Sequence, residues 1–339
     1  MSFPQIAIVV LNWNGASLMR QFLPSVVQFS KRGNTEIIVA DNGSTDDSLS
    51  VLQTEFPDVR ILNLKQNFGF ARGYNEALAR VDTDYFVILN SDVEVTEGWL
   101  DAPIRLMKAE PGIAAVQPKI LSYNKKTHFE YAGAAGGFID RFGYPLCRGR
   151  IFNVMEADHG QYDQQTDIFW ATGACMFVRA SAFREAGGFD ADFWAHMEEI
   201  DLCWRLKNKG YRIVYTSESK VFHVGGGTLS YDNPRKLFLN FRNNLWLLYK
   251  NLPSNHLWQT IFIRLFLDGV AAFKLLAEFN VNGIKSVVKA HFQFWKSIPE
   301  LRKKRKAILR KVESGLPGQI QKSIVFQFYF RKRKYFSEL

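Results

Sequence analysis

Four short apolar runs within the first ninety residues constrain this chain more than any other feature. They cover residues 6–11, 36–40, 59–64 and 85–89, and each is too short for a buried helix and right for a buried strand. Three of them end at once in polar clusters: Asn12-Trp13-Asn14, Asp41-Asn42-Gly43-Ser44-Thr45-Asp46 and Asn90-Ser91-Asp92. Helical patterns fill the gaps, from Ser17 onward and over 48–56 and 70–81. Strands alternating with helices of this length predict an α/β fold with a parallel sheet and helices on both faces. Such sheets bind ligands beyond the carboxyl ends of their strands, where the polar clusters sit. No G-x-G-x-x-G follows the first run, and no G-x-x-x-x-G-K-[ST] is present, so dinucleotide-binding and P-loop folds lose their main support.

Further along, an apolar pattern covers 168–178 around Thr172-Gly173-Ala174, a helix is expected over 198–209, and a strand over 210–215. Residues 113–165 show no clear period. Gly133, Gly136, Gly137 and Gly143 there suggest turns between short strands or a mobile loop. Hydrophobic residues make up 47% of the 339 positions and charged ones 22%, which supplies a sizeable core and excludes disorder as the dominant state. Cys147, Cys175 and Cys203 have neither disulfide-framework nor zinc-site spacing, which suits a reducing compartment. The first 19 residues carry no charge, and Pro4, Gln5, Asn12, Asn14 and Gly15 interrupt their apolar stretch, so they read as a strand rather than a signal peptide. No stretch is long and apolar enough for a clean transmembrane helix.

Charge divides the chain. Residues 231–339 hold 21 basic and 6 acidic side chains, against 22 and 27 in residues 1–230. This predicts a mildly acidic domain over 1–230 and a basic extension over 231–339.

Each chemistry-bearing residue has a plain reading beside a functional one. Asp41 either caps an Asx turn or accepts hydrogen bonds from a nucleoside. Asp92 either caps a helix or holds a hard divalent cation bridging phosphates. Glu198, Glu199 and Asp201 either favour the dipole of a first helical turn or supply a general base near neutral pH. His223 is either packed or a ligand, and the glycines at 225–227 would let backbone approach a bound group.

Taken together, the motifs resemble the family 2 glycosyltransferases of GT-A fold, and within them the bacterial rhamnosyltransferase-like members. The matching blocks run in order over residues 6–227. They are Ile8-Val-Val-Leu-Asn-Trp-Asn14, Asp41-Asn-Gly-Ser-Thr-Asp46, Asn67-Phe-Gly-Phe-Ala-Arg-Gly-Tyr-Asn75, Leu89-Asn-Ser-Asp92, Thr172-Gly-Ala-Cys-Met-Phe-Val-Arg179, Gly187-Gly-Phe-Asp190 and Glu198-Glu-Ile-Asp-Leu-Cys-Trp-Arg205. The resemblance implies a Rossmann-like mixed sheet flanked by helices, with a C-terminal helical basic extension. It implies that Leu11, Asn12, Trp13, Asn14 and Asp41 hold the nucleotide, with Asn67, Gly69, Asn75, Asn90 and Ser91 on the donor side. Asp92 ends a D-x-D-like motif whose first position is Asn90 here, and with His223 it would bind Mg2+ or Mn2+. Glu199 would be the base of a single inverting displacement. Trp170, Thr172, Gly173, Ala174 and Glu198 would shape the sugar and acceptor pocket. The donor would be a nucleotide-sugar, dTDP-rhamnose favoured over UDP-sugars, and the acceptor a glycan or polyprenyl-linked glycan of the cell surface.

The extension carries a helical pattern over 257–279, whose polar residues Arg264, Asp268, Lys274 and Glu278 fall within about 120° of arc. The basic runs 302–306 and 331–334, interleaved with aromatics, point to an anionic membrane surface met through 257–339. That places the chain in the cytoplasm, peripheral on the inner face of the membrane. Two rivals stand: a nucleic-acid-binding protein using the basic tail, disfavoured because no recognition motif is visible, and a non-catalytic sugar-nucleotide binder.

Overall fold

The computed structural model describes residues 4–225, 233–308 and 315–339. The boundary expected between 230 and 231, with Gly226 and Gly227, lies outside the described residues.

The expected alternation is present as β1 (Ile6–Asn12), α1 (Ala16–Phe29), β2 (Thr35–Asp41), α2 (Ser48–Glu55), β3 (Arg60–Asn63), α3 (Gly69–Leu78) and β4 (Tyr85–Asn90). These strands pair in parallel in the order β3-β2-β1-β4. β1 is central and covered on both faces, which is why Ile6 to Val10 can be apolar without alternation and are nearly inaccessible. The register sets Asn12 opposite Asp41 and Leu11 opposite Asn90, so the polar ends of three strands meet at one edge.

The chain continues through β5 (Val93–Val95), α4 (Asp101–Ala109) and β6 (Ile113–Ser122). Short strands follow: β7 (Gly137–Asp140), β8 (Pro145–Cys147), β9 (Arg150–Ile151), β10 (Val154–Met155) and β11 (Thr166–Asp167). Then come β12 (Cys175–Arg179), α5 (Ala180–Glu185), α6 (Glu198–Asn208) and β13 (Arg212–His223). β12 joins β4 antiparallel, and β6 and β13 extend the sheet beyond it, so the sheet is mixed. The strand expected over 210–215 is longer than that. β13 breaks register against β6 between Thr216 and Lys220, then pairs with β5, setting His223 opposite Val93. A residue 131 positions from Asp92 in sequence is thereby delivered beside it. Residues 113–165 resolve into β6 and the hairpins of a second, small sheet.

The extension forms α7 (Pro234–Asn251), α8 (Leu257–Ala277), α9 (Val281–Ile308) and β14 (Gln319–Ile320). It is built into the body. β14 pairs with β7, and Ile324 packs with Leu146 and Ile151. On α7, Lys250 Nζ lies 2.6 Å from Asp190 Oδ2 and 2.8 Å from Asp201 Oδ1, all three well covered. Within the basic run 302–306, Lys304 pairs with Asp190 and Asp192, and Arg305 donates to Tyr249 O at 2.7 Å. Part of that run therefore binds the acidic body. The polar arc of α8 also turns inward at its centre. Arg264 and Asp268 are buried, with Arg264 donating to Phe142 O at 3.0 Å and to Asn244 Oδ1. No helix among the described residues is long and apolar enough to cross a membrane.

Candidate active site

The polar strand ends build a loop cradle. Asn12 donates from Nδ2 to Asp41 Oδ2 and Ser44 Oγ, both at 3.2 Å, while Ser44 N donates to Asp41 Oδ1 at 3.0 Å. Asn14 N donates to Ser44 Oγ at 2.9 Å, and Asn14 Oδ1 accepts from Thr45 N at 2.7 Å. Asn12 and Asp41 are fully buried, so the Asp41 carboxylate faces the loop it organises. Trp13 projects half exposed from that cradle, and the buried Asn12 Oδ1 has no hydrogen-bond partner.

Next to it, Asn67 Oδ1 accepts from Gly69 N at 2.8 Å and from Asn42 Nδ2 at 3.2 Å. Gly69 has φ +74°, and a Cβ there would lie 2.8 Å from the Trp194 ring, so glycine is required twice over. Leu11 lies under Gly73, where a Cβ would crowd it at 3.0 Å. Asn75 departs from expectation. It donates from Nδ2 to Phe189 O at 2.7 Å and accepts from Phe189 N at 2.9 Å, so it clamps the Gly187–Asp190 turn instead of lining a pocket.

The turn after β4 carries Asn90, Ser91 and Asp92. His223 Nε2 lies 3.0 Å from Asp92 Oδ1 and 3.3 Å from Asn90 Nδ2. On the other side of the ring, Nδ1 lies 3.1 Å from Glu130 Oε2. Burial alone would lower the imidazole, but Glu130 and Asp92 outweigh it and hold it up at about 10. Burial likewise raises Asp92, yet the hydrogen bond and charge of His223 keep its carboxyl below the ordinary range. Glu130 was not expected. It lies just after β6, donating its backbone N–H to Ile120 O, in the segment whose sequence shows no period. No group of three or more His, Cys, Asp or Glu among the described residues is poised to hold a metal alone.

Glu198 and Glu199 open α6. Burial, then the neighbouring Glu199, pushes the Glu198 carboxyl well above its usual range, and burial raises Glu199 to about 7. The buried Oε2 of each has no hydrogen-bond partner. The approach to α6 is contorted: Trp194, His196 and Met197 all have φ near +70°. Asn243 of α7 holds that segment, its Nδ2 reaching Phe193 O at 3.0 Å, Ala195 O at 2.9 Å and His196 O at 2.7 Å. Burial raises the Cys147 thiol, and the charges of Glu130 and Glu199 add to that shift.

Two expectations for the sugar pocket need correction. Trp170 is 3% exposed, donates to Phe138 O at 2.8 Å and covers Gly137, so it is a core residue and not a sugar platform. Thr172 and Ala174 are almost as inaccessible. Thr172 N donates to Gln117 Oε1, Ala174 N to Thr172 Oγ1, and Gly173 lies under the Phe70 ring, so this segment backs β4 instead of lining an open pocket. Trp194 is the exposed indole, set over Gly69 and faced by the Arg235 guanidinium at 5.2 Å.

The chain has known relatives in sequence and in fold. The N-acetylglucosaminyl-diphospho-decaprenol L-rhamnosyltransferase of Mycobacterium tuberculosis is 25% identical over 236 residues, covering 64% of this chain and 75% of the relative. The rhamnosyltransferase WbbL of Escherichia coli is 26% identical over 163 residues, 46% of this chain and 61% of the relative. Among solved structures, the mannosyltransferase PcManGT of Pyrobaculum calidifontis, in complex with GDP-Man and Mn2+, superposes with a TM-score of 0.53 at 14% identity, over 87% of this chain and 88% of that one, which shows the GT-A fold. The sequence model described as Glycosyl transferase family 2 matches residues 7–187, from β1 through the turn that Asn75 clamps. That match spans more than half of the chain, and the chain belongs to glycosyltransferase family 2.

Proposed function

We propose that this glycosyltransferase moves a sugar, with inversion, from a nucleotide-diphosphate donor to a hydroxyl of a glycan or lipid-linked acceptor. The observation that carries the reading is the buried Asp92–His223 pair just past the end of β4, with a Glu199 carboxyl raised by burial to about 7 in support. A base poised near neutral pH can take a hydroxyl proton and stay unprotonated often enough to repeat it. One such base suffices for single displacement, and no second nucleophilic carboxylate is required.

The donor set at Asp92 and His223 fits Mg2+ or Mn2+. These ions commonly take one or two protein ligands and complete their shell with phosphate oxygens and water, and the imidazole nitrogen favours Mn2+ of the two. Asp92 Oδ1 and His223 Nε2 would hold the ion once it displaces the proton shared between them, with Glu130 fixing the ring. When bound, the ion offsets the charge that develops on the departing nucleoside diphosphate. The cradle of Asn12, Trp13, Asn14 and Asp41 receives the nucleoside, and Asn67 with Gly69 shapes the wall toward the sugar. Similarity to two rhamnosyltransferases favours dTDP-rhamnose as donor, and the decaprenol named for one of them favours a polyprenyl-linked acceptor at a membrane face.

The test is turnover of a panel of dTDP-, UDP- and GDP-sugars with lipid-linked and soluble glycan acceptors, with Mn2+, Mg2+ or chelator. One donor should dominate, turnover should need the ion, and the product anomer should be inverted. Retention at the anomeric carbon, or full turnover in chelator, would sink the mechanism.

A further inference from the structure

The geometry points to a membrane-docking surface on the outward faces of α8 and the first half of α9, fitted to an anionic phospholipid bilayer and placed beside the active-site mouth. The role given to that placement rests on the proposed transfer reaction; the docking itself does not.

The central part of α8 is built inside-out. Its charged pair Arg264 and Asp268 faces the protein and is buried, with Asp268 also 3.3 Å from His291 Nε2 of α9. Its large apolar side chains face outward: Phe262 is 59% exposed, Phe266 71%, Phe273 74%, and Phe279, just past the helix, 90%. From Gly269 to Ala277 no residue of α8 is buried. The first half of α9 continues the patch with Val288, Phe292 and Trp295, and Trp295 stacks on Trp258 at 6.2 Å. The stripe from Trp258 to Phe279 runs roughly 30 Å at 1.5 Å per residue. A contiguous apolar surface of this extent marks an interaction site.

Charge selects the occupant. The exposed ionised side chains in 257–296 are Lys274, Lys285, Lys289 and Lys296, against Glu278 alone. Lysines around a Phe- and Trp-rich face match an anionic lipid interface, where aromatic rings sit at headgroup depth. A second copy of the chain would bring the same lysines face to face. Because no described helix can cross a bilayer, the fit is shallow burial. This narrows the membrane contact expected over 257–339 and leaves out Lys304 of the run at 302–306, which is turned to the body.

The inward face of α9, behind the patch, touches the start of α7 next to the donor wall. Ser286 Oγ of α9 donates to Pro234 O at 3.0 Å, at the start of α7. The next residue, Arg235, lies over Trp194, which covers Gly69. A lipid-anchored acceptor diffusing in the bilayer would meet the mouth from the side.

The experiment is flotation of the full chain with phosphatidylcholine vesicles, with and without phosphatidylglycerol. It is run on the wild type, on Phe266→Ser/Phe273→Ser/Phe279→Ser and on Lys285→Glu/Lys296→Glu, with thermal stability and donor-induced thermal shift measured in parallel. Wild type should float with phosphatidylglycerol vesicles. Each variant should bind at least tenfold more weakly, about 1.4 kcal/mol, while melting as the wild type does. Equal flotation of the serine variant overturns the proposal. So does a wild-type dimer, dissociated by the serine changes, that ignores vesicles. Vesicle binding without any donor-induced shift would support docking and tell against the transfer reading alone.

Discussion

Glu130 Oε2 lies 3.1 Å from His223 Nδ1, on the side of the imidazole away from Asp92. A carboxylate there fixes ring orientation and tautomer when the opposite nitrogen holds a metal. Glu130→Gln should weaken activation by Mn2+ by about 10–100-fold while leaving the rate at saturating ion close to normal. A Mn2+ titration of turnover checks this, and an unchanged half-saturating concentration would remove Glu130 from the site.

The raised carboxyl of Glu199 makes a prediction with a definite sign. A base works as its anion, so the rate should fall about tenfold per pH unit below about 7 and level off above it. Glu199→Gln should lower transfer by about 10²–10⁴-fold and abolish that limb, with donor binding nearly intact because the base acts on the acceptor. Stability should move the other way. A carboxyl raised on folding binds its proton more tightly in the native state, so its charge costs stability as pH rises from 4.5 through about 7. Glu199→Gln should therefore melt higher than wild type at pH 8 and show little gain at pH 4. A pH–rate profile and melting curves at both pH values test the two halves together.

Gly69 carries φ +74° and faces the Trp194 ring at a distance that no Cβ tolerates. Gly69→Ala should cost at least about 1 kcal/mol and displace Trp194 from the donor wall. Urea unfolding measures the first effect. Weakened donor binding in a thermal-shift titration measures the second, and wild-type donor affinity would show that this wall is not part of the site.

Lys250 is a buried link between the extension and the body. Its ammonium joins Asp190 and Asp201, and Asp201 is fully buried with its carboxyl held below the usual range by Lys250 and Arg205 against the burial that raises it. Lys250→Met leaves those acids partly uncompensated and should destabilise the chain by about 3–5 kcal/mol. Loss of only a few tenths in urea unfolding would mean Arg205 and Asn251 suffice.

The strand ends were legible because a buried parallel strand is a short apolar run, and a ligand-facing end breaks that run with polar residues. That pattern placed Asn12, Asp41 and Asn90 at strand ends, while their part in donor binding came from the family resemblance. Glu130 was not legible, since its partner His223 lies 93 residues away and its own segment makes hairpins of two to four residues. Trp170 stayed open between sugar pocket and core for the opposite reason: an indole before a glycine-containing turn reads alike whether it stacks on a sugar or on Gly137. The polar arc of α8 was visible, but its direction was not. Arg264 and Asp268 turn inward only because Asn244, Phe142 O and His291 meet them there, and those partners are contributed by other elements.

Asn243 could not be read as functional either, although it governs the segment that presents the base. Its amide reaches three carbonyls of residues 193–196, immediately before Glu198 and Glu199 and across three positive-φ residues. Such a backbone persists only where its surroundings over-determine it. Removing the clamp releases strain next to Glu199, the proposed base, and frees Trp194 at the donor wall. Asn243→Ala should therefore lower kcat by about 10–100-fold, as a misplaced base does, and raise the donor KM through Trp194 as well. Asn243→Asp keeps the size but loses the donor, and should fail similarly. If both variants kept wild-type kcat, the 193–197 segment would hold its shape unaided, and α7 would serve only to fasten the extension to the body.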